Sequence, residues 1–477
     1  MVFSSTVFLF IFLPLVLCVY FVLPRFLRNT WLLIMSLLFY AWGEKVFTFV
    51  MLGSIVANYI FGLLVDHFKG RKAVKWIIAL SVITNLALLI FYKYAAFIAS
   101  AMNPVLLSLH LPALDLKPGH LPIGISFFTF HAISYVVDVY RGNATVQRNF
   151  FNFALYESLF PQLVAGPIIR YQDIADQINE RHETLDGFAY GICRFILGLS
   201  KKVLIANTLA AVADQIFALN SDGLTAPVAW LGALCYTLQI YFDFSGYSDM
   251  AIGLGRMFGF KFIENFNYPY ISQSIQEFWR RWHISLSTWF RDYLYIPLGG
   301  NRVPPWRIYF NLVTVFFLCG LWHGASWNFV IWGLMHGLFL VLERQKWMAW
   351  LDRLWRPLRH AYALLVVMIG WVFFRADTFP EACSYLQTMA GFGPHVPTTH
   401  HLPLYIDSVT LLALAAGLIG SMPVAKLMAD LNSRLSRQPS LDILGSLARI
   451  AVLSLLFMLC TMQLAAGTYN PFIYFRF

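Results

Sequence analysis

The chain has 477 residues, 59% of them hydrophobic and 12% charged, with a formal net charge of +10. Soluble domains carry roughly 25% charged residues, so this composition excludes a soluble globular enzyme and describes a polytopic membrane protein. The positive excess does not indicate nucleic-acid binding, because the bases occupy short loops beside apolar runs and form no continuous basic face, which is the loop bias of membrane proteins.

A bilayer-crossing helix needs about 20 apolar residues, and roughly eleven runs or paired shorter runs meet that scale. The expected fold is all-α, with roughly eleven transmembrane or re-entrant helices around a buried histidine chamber, in a single membrane domain covering 1–477. Cys18, Cys193, Cys235, Cys319, Cys383 and Cys460 stand alone in apolar surroundings without a C-x-x-C pairing. They read as buried thiols, neither a disulfide framework nor a metal site.

The first run, Val7 to Leu23, lacks the basic n-region and the small-residue cleavage site of a signal peptide and reads as a retained span. Arg25 and Arg28 follow it and draw that loop to the cytoplasm, which places the N-terminus outside. Trp31 to Trp42 and Val46 to Val65 form a pair around Gly43-Glu44-Lys45, the first short enough to be tilted or incomplete. The basic loop His67 to Lys75 is cytoplasmic, Trp76 to Ala99 crosses outward, and the nearly uncharged linker from Met102 to Pro122 suits the outer surface.

Ile123 to Val139 returns inward with Phe127, His131 and Ser134 on one helical face. The preferred reading of His131 is a core histidine bonded to a neighbouring helix. Phe151 to Ile168 is interrupted by Pro161, Gly166 and Pro167, and irregular backbone at that depth requires protein or a water-filled cavity beside it. Arg170 to Asp186 is a mixed-charge surface segment.

Gly187 to Leu204, with Lys201 and Lys202 near its end, reads as one helix and Ala226 to Tyr241 as the next. Asp243 and Asp249 come six residues apart, about 240° around a helix. They are therefore not an acid pair on one face, and capping or pairing with nearby arginines competes with any catalytic role.

Ile275 to Tyr295 reads as one helix stopped by Pro297-Leu-Gly-Gly300, with His283, Ser287, Phe290 and Leu294 on one face. Its tryptophans and arginines have the dress of an interfacial helix whose bases hold lipid phosphate. Ile308 to Leu342 is apolar yet contains His323. Beyond it, Glu343 to His360 is cytoplasmic, Ala361 to Phe374 crosses outward, and Asp377 to Pro403 lies outside. The histidines in that linker, His395, His400 and His401, lack partners at metal-ligand spacing. Leu404 to Ile419 and Ile450 to Leu464 flank a basic segment and lead to an aromatic tail, 470–477.

His283 and His323 are the candidates for chemistry, since an ionisable group at membrane depth costs about 2.5 kcal/mol or more to insert if charged. A buried imidazole that stays neutral is a base. His323 lies between Gly320 and Gly324, which would let a substrate approach the ring closely, with Trp322 and Trp327 as walls. A hydroxyl deprotonated there can attack a thioester carbonyl while His283 or an arginine donates to the oxyanion. Two other readings compete. His323 bonds a carbonyl across a helix packing that the glycines allow, or the broken helix and the histidines line the path of a transporter or lipid flippase. The chain has no internal repeat of the kind common in transporters, and a scaffold role would make His323 dispensable.

Tyr241-Phe-Asp-Phe-Ser-Gly-Tyr-Ser-Asp249, Glu277-Phe-Trp-Arg-Arg-Trp-His-Ile-Ser-Leu-Ser287, Leu298-Gly-Gly-Asn-Arg302 and Leu321-Trp-His-Gly324 resemble the signature region of the membrane-bound O-acyltransferase family, here 241–336. Met1-Val-Phe-Ser-Ser, Leu121-Pro-Ile-Gly-Ile-Ser-Phe127 and Gly166-Pro167 extend the resemblance to the bacterial branch that acetylates exported polysaccharides such as alginate, with peptidoglycan and cellulose systems as alternatives. The resemblance implies that His323 is the essential histidine and His283 the second polar site. Trp322, Asp243, Asp249, Arg280, Arg281 and Asn301 are candidate supporting or substrate-lining groups. It further implies a bacterial inner-membrane enzyme taking acetyl groups from acetyl-CoA as donor, without a metal, and passing them across the bilayer. The partners would be an extracytoplasmic, esterase-like acetyltransferase and a polysaccharide acceptor, with no nucleic acid. The tail Phe472-Ile-Tyr474-Phe-Arg-Phe477 resembles the aromatic tail of the teichoic-acid D-alanylation system, which makes Tyr474 a possible acyl carrier; an aromatic interface anchor is the other reading.

Overall fold

Backbone in hydrocarbon has to satisfy its own N–H and C=O groups, and the chain does so with helices: among the described residues no strand occurs. A computed structural model describes residues 1–116, 119–164, 166–219, 223–393, 400–424, 439–467 and 469–471. Five helices are long and apolar enough to cross a membrane by length and composition. They are α3 (Phe47–His67), α4 (Ala73–Ser108), α9 (Leu185–Phe217), α15 (Arg356–Arg375) and the span Ile443–Ala465 of α18 (Pro439–Ala465). Helices α1 (Phe8–Val22) and α17 (Ser408–Gly420) are shorter and apolar. Other helices are α2 (Arg25–Glu44), α5 (Ile125–Arg141), α6 (Phe150–Ser158), α7 (Phe160–Leu163), α8 (Tyr171–Asn179), α10 (Ala226–Met257), α11 (Ile275–Arg281), α12 (Ile284–Phe290), α13 (Pro305–His323), α14 (Trp327–Leu342) and α16 (Phe379–Met389).

The all-α membrane architecture expected from the sequence is the one observed, and several boundaries differ. Helix α2 runs for 20 residues, longer than the apolar stretch Trp31 to Trp42 alone, because Pro24 sets its start and the polar residues Arg25, Arg28 and Asn29 are helical; it is not among the five helices long and apolar enough to cross a membrane. The lysines expected near a helix end lie inside α9, which continues for 33 residues. They can do so because each is paired. Lys202 Nζ meets Asp243 Oδ2 at 2.9 Å with both side chains at most 2% exposed. Lys201 meets Asp249 at 2.7 Å, and Asp249 also receives Arg194. Helix α10 is the buried axis of the molecule, inaccessible over most of its 32 residues.

The helix break after α6 falls at Leu159, the position before Pro161 having passed into α7. Gly124 enters α5 with φ +78°, and a Cβ there would stand 2.7 Å from the Leu163 carbonyl oxygen, so glycine is required where the α5 entry meets the broken helix. The mixed-charge segment after α7 is tied down more firmly than a solvated loop. Arg181 lies 4.4 Å over the Phe260 ring and donates to Asn29 Oδ1 at 2.7 Å, while Arg28 pairs with Glu183 at 3.0 Å. Cys18 is exposed, Cys193 and Cys383 are half-buried and the other three cysteines are buried, so burial of all six does not hold.

Candidate active site

His323 is the last residue of α13, and its position follows from how tightly α13 and α14 form a hairpin. A Cβ on Gly320 would meet the Phe329 carbonyl oxygen at 2.2 Å, and one on Gly333 would meet the Phe316 carbonyl oxygen at 2.2 Å. The space beside Gly324 is filled by the Phe329 ring. These glycines therefore let two helix backbones touch; they do not open the room for a substrate that the sequence reading expected of them. Of the competing expectation, the glycine-mediated packing is present but the carbonyl bond is not, because neither ring nitrogen of His323 has a hydrogen-bond partner among the described residues.

The imidazole, 5% exposed, is held by aromatic rings: Trp322 at 4.9 Å, Trp332 at 5.0 Å and Phe374 at 5.1 Å between centroids. Trp332 takes the place expected for Trp327, which is 58% exposed and faces outward beside Phe97. The helix end leaves the carbonyls of Leu321, Trp322 and His323 without intrahelical donors, and α4 supplies them. Lys93 Nζ donates to Trp322 O at 2.6 Å and to His323 O at 3.2 Å, and Tyr94 Oη donates to Leu321 O at 2.6 Å.

A cavity of about 520 Å³ opens at this point, lined by His323, Trp322, Lys93, Ser126, Phe127 and the 119–125 segment. A second cavity of about 280 Å³ shares Ile123 and Val164 with it. On its wall the buried Glu44 carboxylate meets His120 Nε2 at 3.0 Å.

His283 lies at the junction of α11 and α12, in the left-handed conformation (φ 43°, ψ 55°) and fully buried. The single helix expected over Ile275 to Tyr295 is broken there, so its four-residue face does not exist as such, and Trp279, Trp282 and Trp289 are buried rather than interfacial. Asn265 explains the site. Its Oδ1 accepts from the Ser285 amide at 3.2 Å and the Ser285 hydroxyl at 2.9 Å, which identifies that atom as the oxygen. His283 Nδ1, 3.1 Å from that oxygen and 3.4 Å from the Ser285 hydroxyl, is placed to donate to it in the Nδ1-protonated tautomer. The Nε2 atom, without a partner among the described residues, carries a lone pair. In that tautomer a neutral His283 cannot donate to an oxyanion from Nε2, so the arrangement favours a proton-acceptor role over the donor role expected for it. Its ring lies 6.0 Å from Trp322, so one indole contacts both candidate imidazoles, while His283 is outside the cavity lining.

Of the other candidates, Trp322 lines the cavity. Asp243 and Asp249 are engaged with Lys202, Lys201 and Arg194. Arg280 is exposed, Arg281 pairs with Glu277 at 2.9 Å, and Asn301 accepts from the Tyr295 hydroxyl at 2.7 Å on the surface. None of these five lines the His323 cavity. His131 is fully buried with neither nitrogen bonded among the described residues, so the neighbouring-helix bond expected for it is absent. Tyr474 lies outside the described residues. The chain just before it is anchored: Lys202 Nζ donates to Pro471 O, and Asn470 bonds Ser4 O at 2.9 Å and Asn207 Nδ2 at 3.0 Å.

Sequence reasoning missed Lys93 and Asn265. Lys93 carried a signal, a lone lysine in an apolar run at membrane depth; Asn265, in an irregular segment, carried none.

Residues 123–376 match the family model of the membrane-bound O-acyltransferases. A probable alginate O-acetylase of Azotobacter vinelandii is 45% identical over all of this chain and all of its own. A peptidoglycan O-acetyltransferase of Helicobacter pylori is 37% identical over 82% of this chain and 80% of its own. A teichoic acid D-alanyltransferase of Bacillus subtilis is 28% identical over 59% of this chain and 75% of its own. The chain is a multi-pass acyl-transferring membrane enzyme, and it belongs to the membrane-bound O-acyltransferase family.

Proposed function

We propose that the chain takes acetyl groups from acetyl-CoA on the cytoplasmic side of a bacterial inner membrane and passes them across it for O-acetylation of an exported, alginate-like polysaccharide. The observation that carries this reading is His323: a buried imidazole with both nitrogens unengaged among the described residues, on the wall of a cavity of about 520 Å³, in a chain 45% identical along its whole length to a probable alginate O-acetylase. His323 removes the proton of the attacking hydroxyl as that oxygen bonds to the thioester carbon, and returns a proton to the departing thiolate. His283 presents its Nε2 lone pair behind Trp322 as a proton acceptor fixed by Asn265. The tail, held at Pro471 by Lys202, offers Tyr474 as the hydroxyl that carries the acetyl group to an extracytoplasmic, esterase-like partner.

The placement of the loops favours an outward N-terminus. The cavity opens beside the uncharged 119–124 segment, which suits entry of the acceptor hydroxyl from the outer face, while the thioester reaches His323 from the opposite, cytoplasmic side, where the basic loop after α3 lies. The test is a single-turnover assay with purified protein in nanodiscs and acetyl-labelled acetyl-CoA. Wild type is expected to release thiol and retain label in the protein, and Tyr474→Phe, which lacks the attacking hydroxyl, to do neither. No thiol release by wild type, with acceptor supplied, would overturn the reading.

A further inference from the structure

Acyl transfer builds negative charge on the carbonyl oxygen of the thioester, and neither histidine of this site is arranged to receive it. His283 offers a lone pair, His323 is the base, and Arg280 and Arg281 are outside the cavity. We propose that Lys93 is the oxyanion-stabilising group of the pocket and therefore a catalytic residue. This rests on the acyl-transfer reading given above.

Three observations carry it. Lys93 lines the same cavity as His323. In its protonated form the Lys93 amine has three N–H donors, of which the carbonyls of Trp322 and His323 take two, at 2.6 and 3.2 Å; those are its hydrogen-bond partners among the described residues, and no carboxylate there pairs with it. The third donor is left for a ligand. Finally, the ammonium is fixed before any substrate arrives. It sits on a π-helical turn, Ile90–Tyr94, a local widening often found at functional sites, and the next residue, Tyr94, holds the same helix end at Leu321 O. Base and donor are registered through one residue, since Lys93 is bonded to the carbonyl of the histidine whose ring takes the proton. Such preorganised donors are the groups that stabilise charge developing in a transition state.

In the step this implies, the hydroxyl oxygen bonds to the thioester carbon as His323 takes its proton. The carbonyl π pair moves to oxygen, where Lys93 donates its third hydrogen bond. Collapse re-forms the carbonyl, breaks the carbon–sulfur bond, and the thiolate leaves with the proton held by His323.

The experiment uses the full chain in nanodiscs as wild type, Lys93→Met, Lys93→Gln and Lys93→Arg, each checked for monodispersity and thermal midpoint. Removing one oxyanion donor lowers kcat by about 10²–10³ in known cases, so Met and Gln are expected to lose roughly that factor with KM little changed, and Arg to retain most of kcat. Two analogues separate a catalytic from a shaping role: a trifluoromethyl ketone analogue of acetyl-CoA, whose hydrate carries the tetrahedral oxygens, and a methylene analogue that keeps a plain carbonyl without a leaving thiolate. Lys93→Gln is expected to weaken the first by roughly a hundredfold and the second by no more than about twofold. Equal weakening of both, or wild-type kcat in Lys93→Gln, overturns the inference. Wild type that transfers no acetyl overturns the underlying reading instead.

Discussion

His323 and His131 are both buried imidazoles whose ring nitrogens have no hydrogen-bond partner among the described residues, yet of the two it is His323 that borders the cavity. The difference makes opposite predictions. Replacing an unsatisfied buried polar group by an apolar one of similar size is nearly neutral or stabilising, so His131→Leu is expected to keep its membrane level and acyl transfer within about twofold of wild type; a loss of turnover at normal level would give His131 a part in the chemistry. Asn265 is the counterpart at His283. Asn265→Ala removes the acceptor that fixes the Nδ1 tautomer, and the wrong tautomer in a catalytic imidazole is costly. A fall in kcat of at least roughly tenfold is expected, measured by thiol release, and unchanged kcat would make the Asn265 contact merely structural. The sequence made His283 and His323 visible because each is a titratable group in apolar surroundings. It could not make their states visible, because the tautomer at His283 depends on a residue 18 positions away.

At the scale of helices, the molecule relies on backbone contact and buried pairs. Gly333→Leu forces a side chain into the Phe316 carbonyl and drives α13 from α14. Overpacking of this kind costs typically about 1–3 kcal/mol, so the thermal midpoint of the purified protein is expected to fall, together with activity because His323 ends the displaced helix. A midpoint equal to wild type would contradict the hairpin geometry. The Lys202 and Asp243 pair joins α9 to α10, and breaking a buried pair by removing one partner costs about 3–5 kcal/mol. Lys202→Met is expected to reduce membrane level sharply and Lys202→Met with Asp243→Leu to restore much of it, as read by immunoblot; no recovery in the double variant would show that the charges act in something besides mutual compensation. Helix existence was legible from apolar runs, as with Phe47–His67 and Arg356–Arg375. The break at His283 was not, because Trp282-His283 contains neither glycine nor proline. The continuity of α9 through Lys201 and Lys202 was hidden for the opposite reason: partners supplied by α10 let charged residues stay helical at depth.

For the whole molecule, the central question is which face of the bilayer the cavity meets. A cysteine placed in the 110–116 linker of a chain whose native cysteines are replaced is expected to react with an impermeant maleimide in intact spheroplasts, and one in the 69–72 loop only after lysis; the reverse pattern would invert the proposed orientation. Membership of the acyltransferase family was legible because its motifs are contiguous, from Tyr241 to Asp249 and from Leu321 to Gly324. The cavity was not, because Lys93, Ser126 and His323 reach it from α4, α5 and α13. The most direct test of the central claim is the ester-linked acetyl content of exported polysaccharide from cells making wild type or His323→Ala at matched membrane levels. Loss of that acetyl in His323→Ala is the result expected if His323 is the base of the transfer. Wild-type acetylation by a normally inserted His323→Ala protein would contradict it.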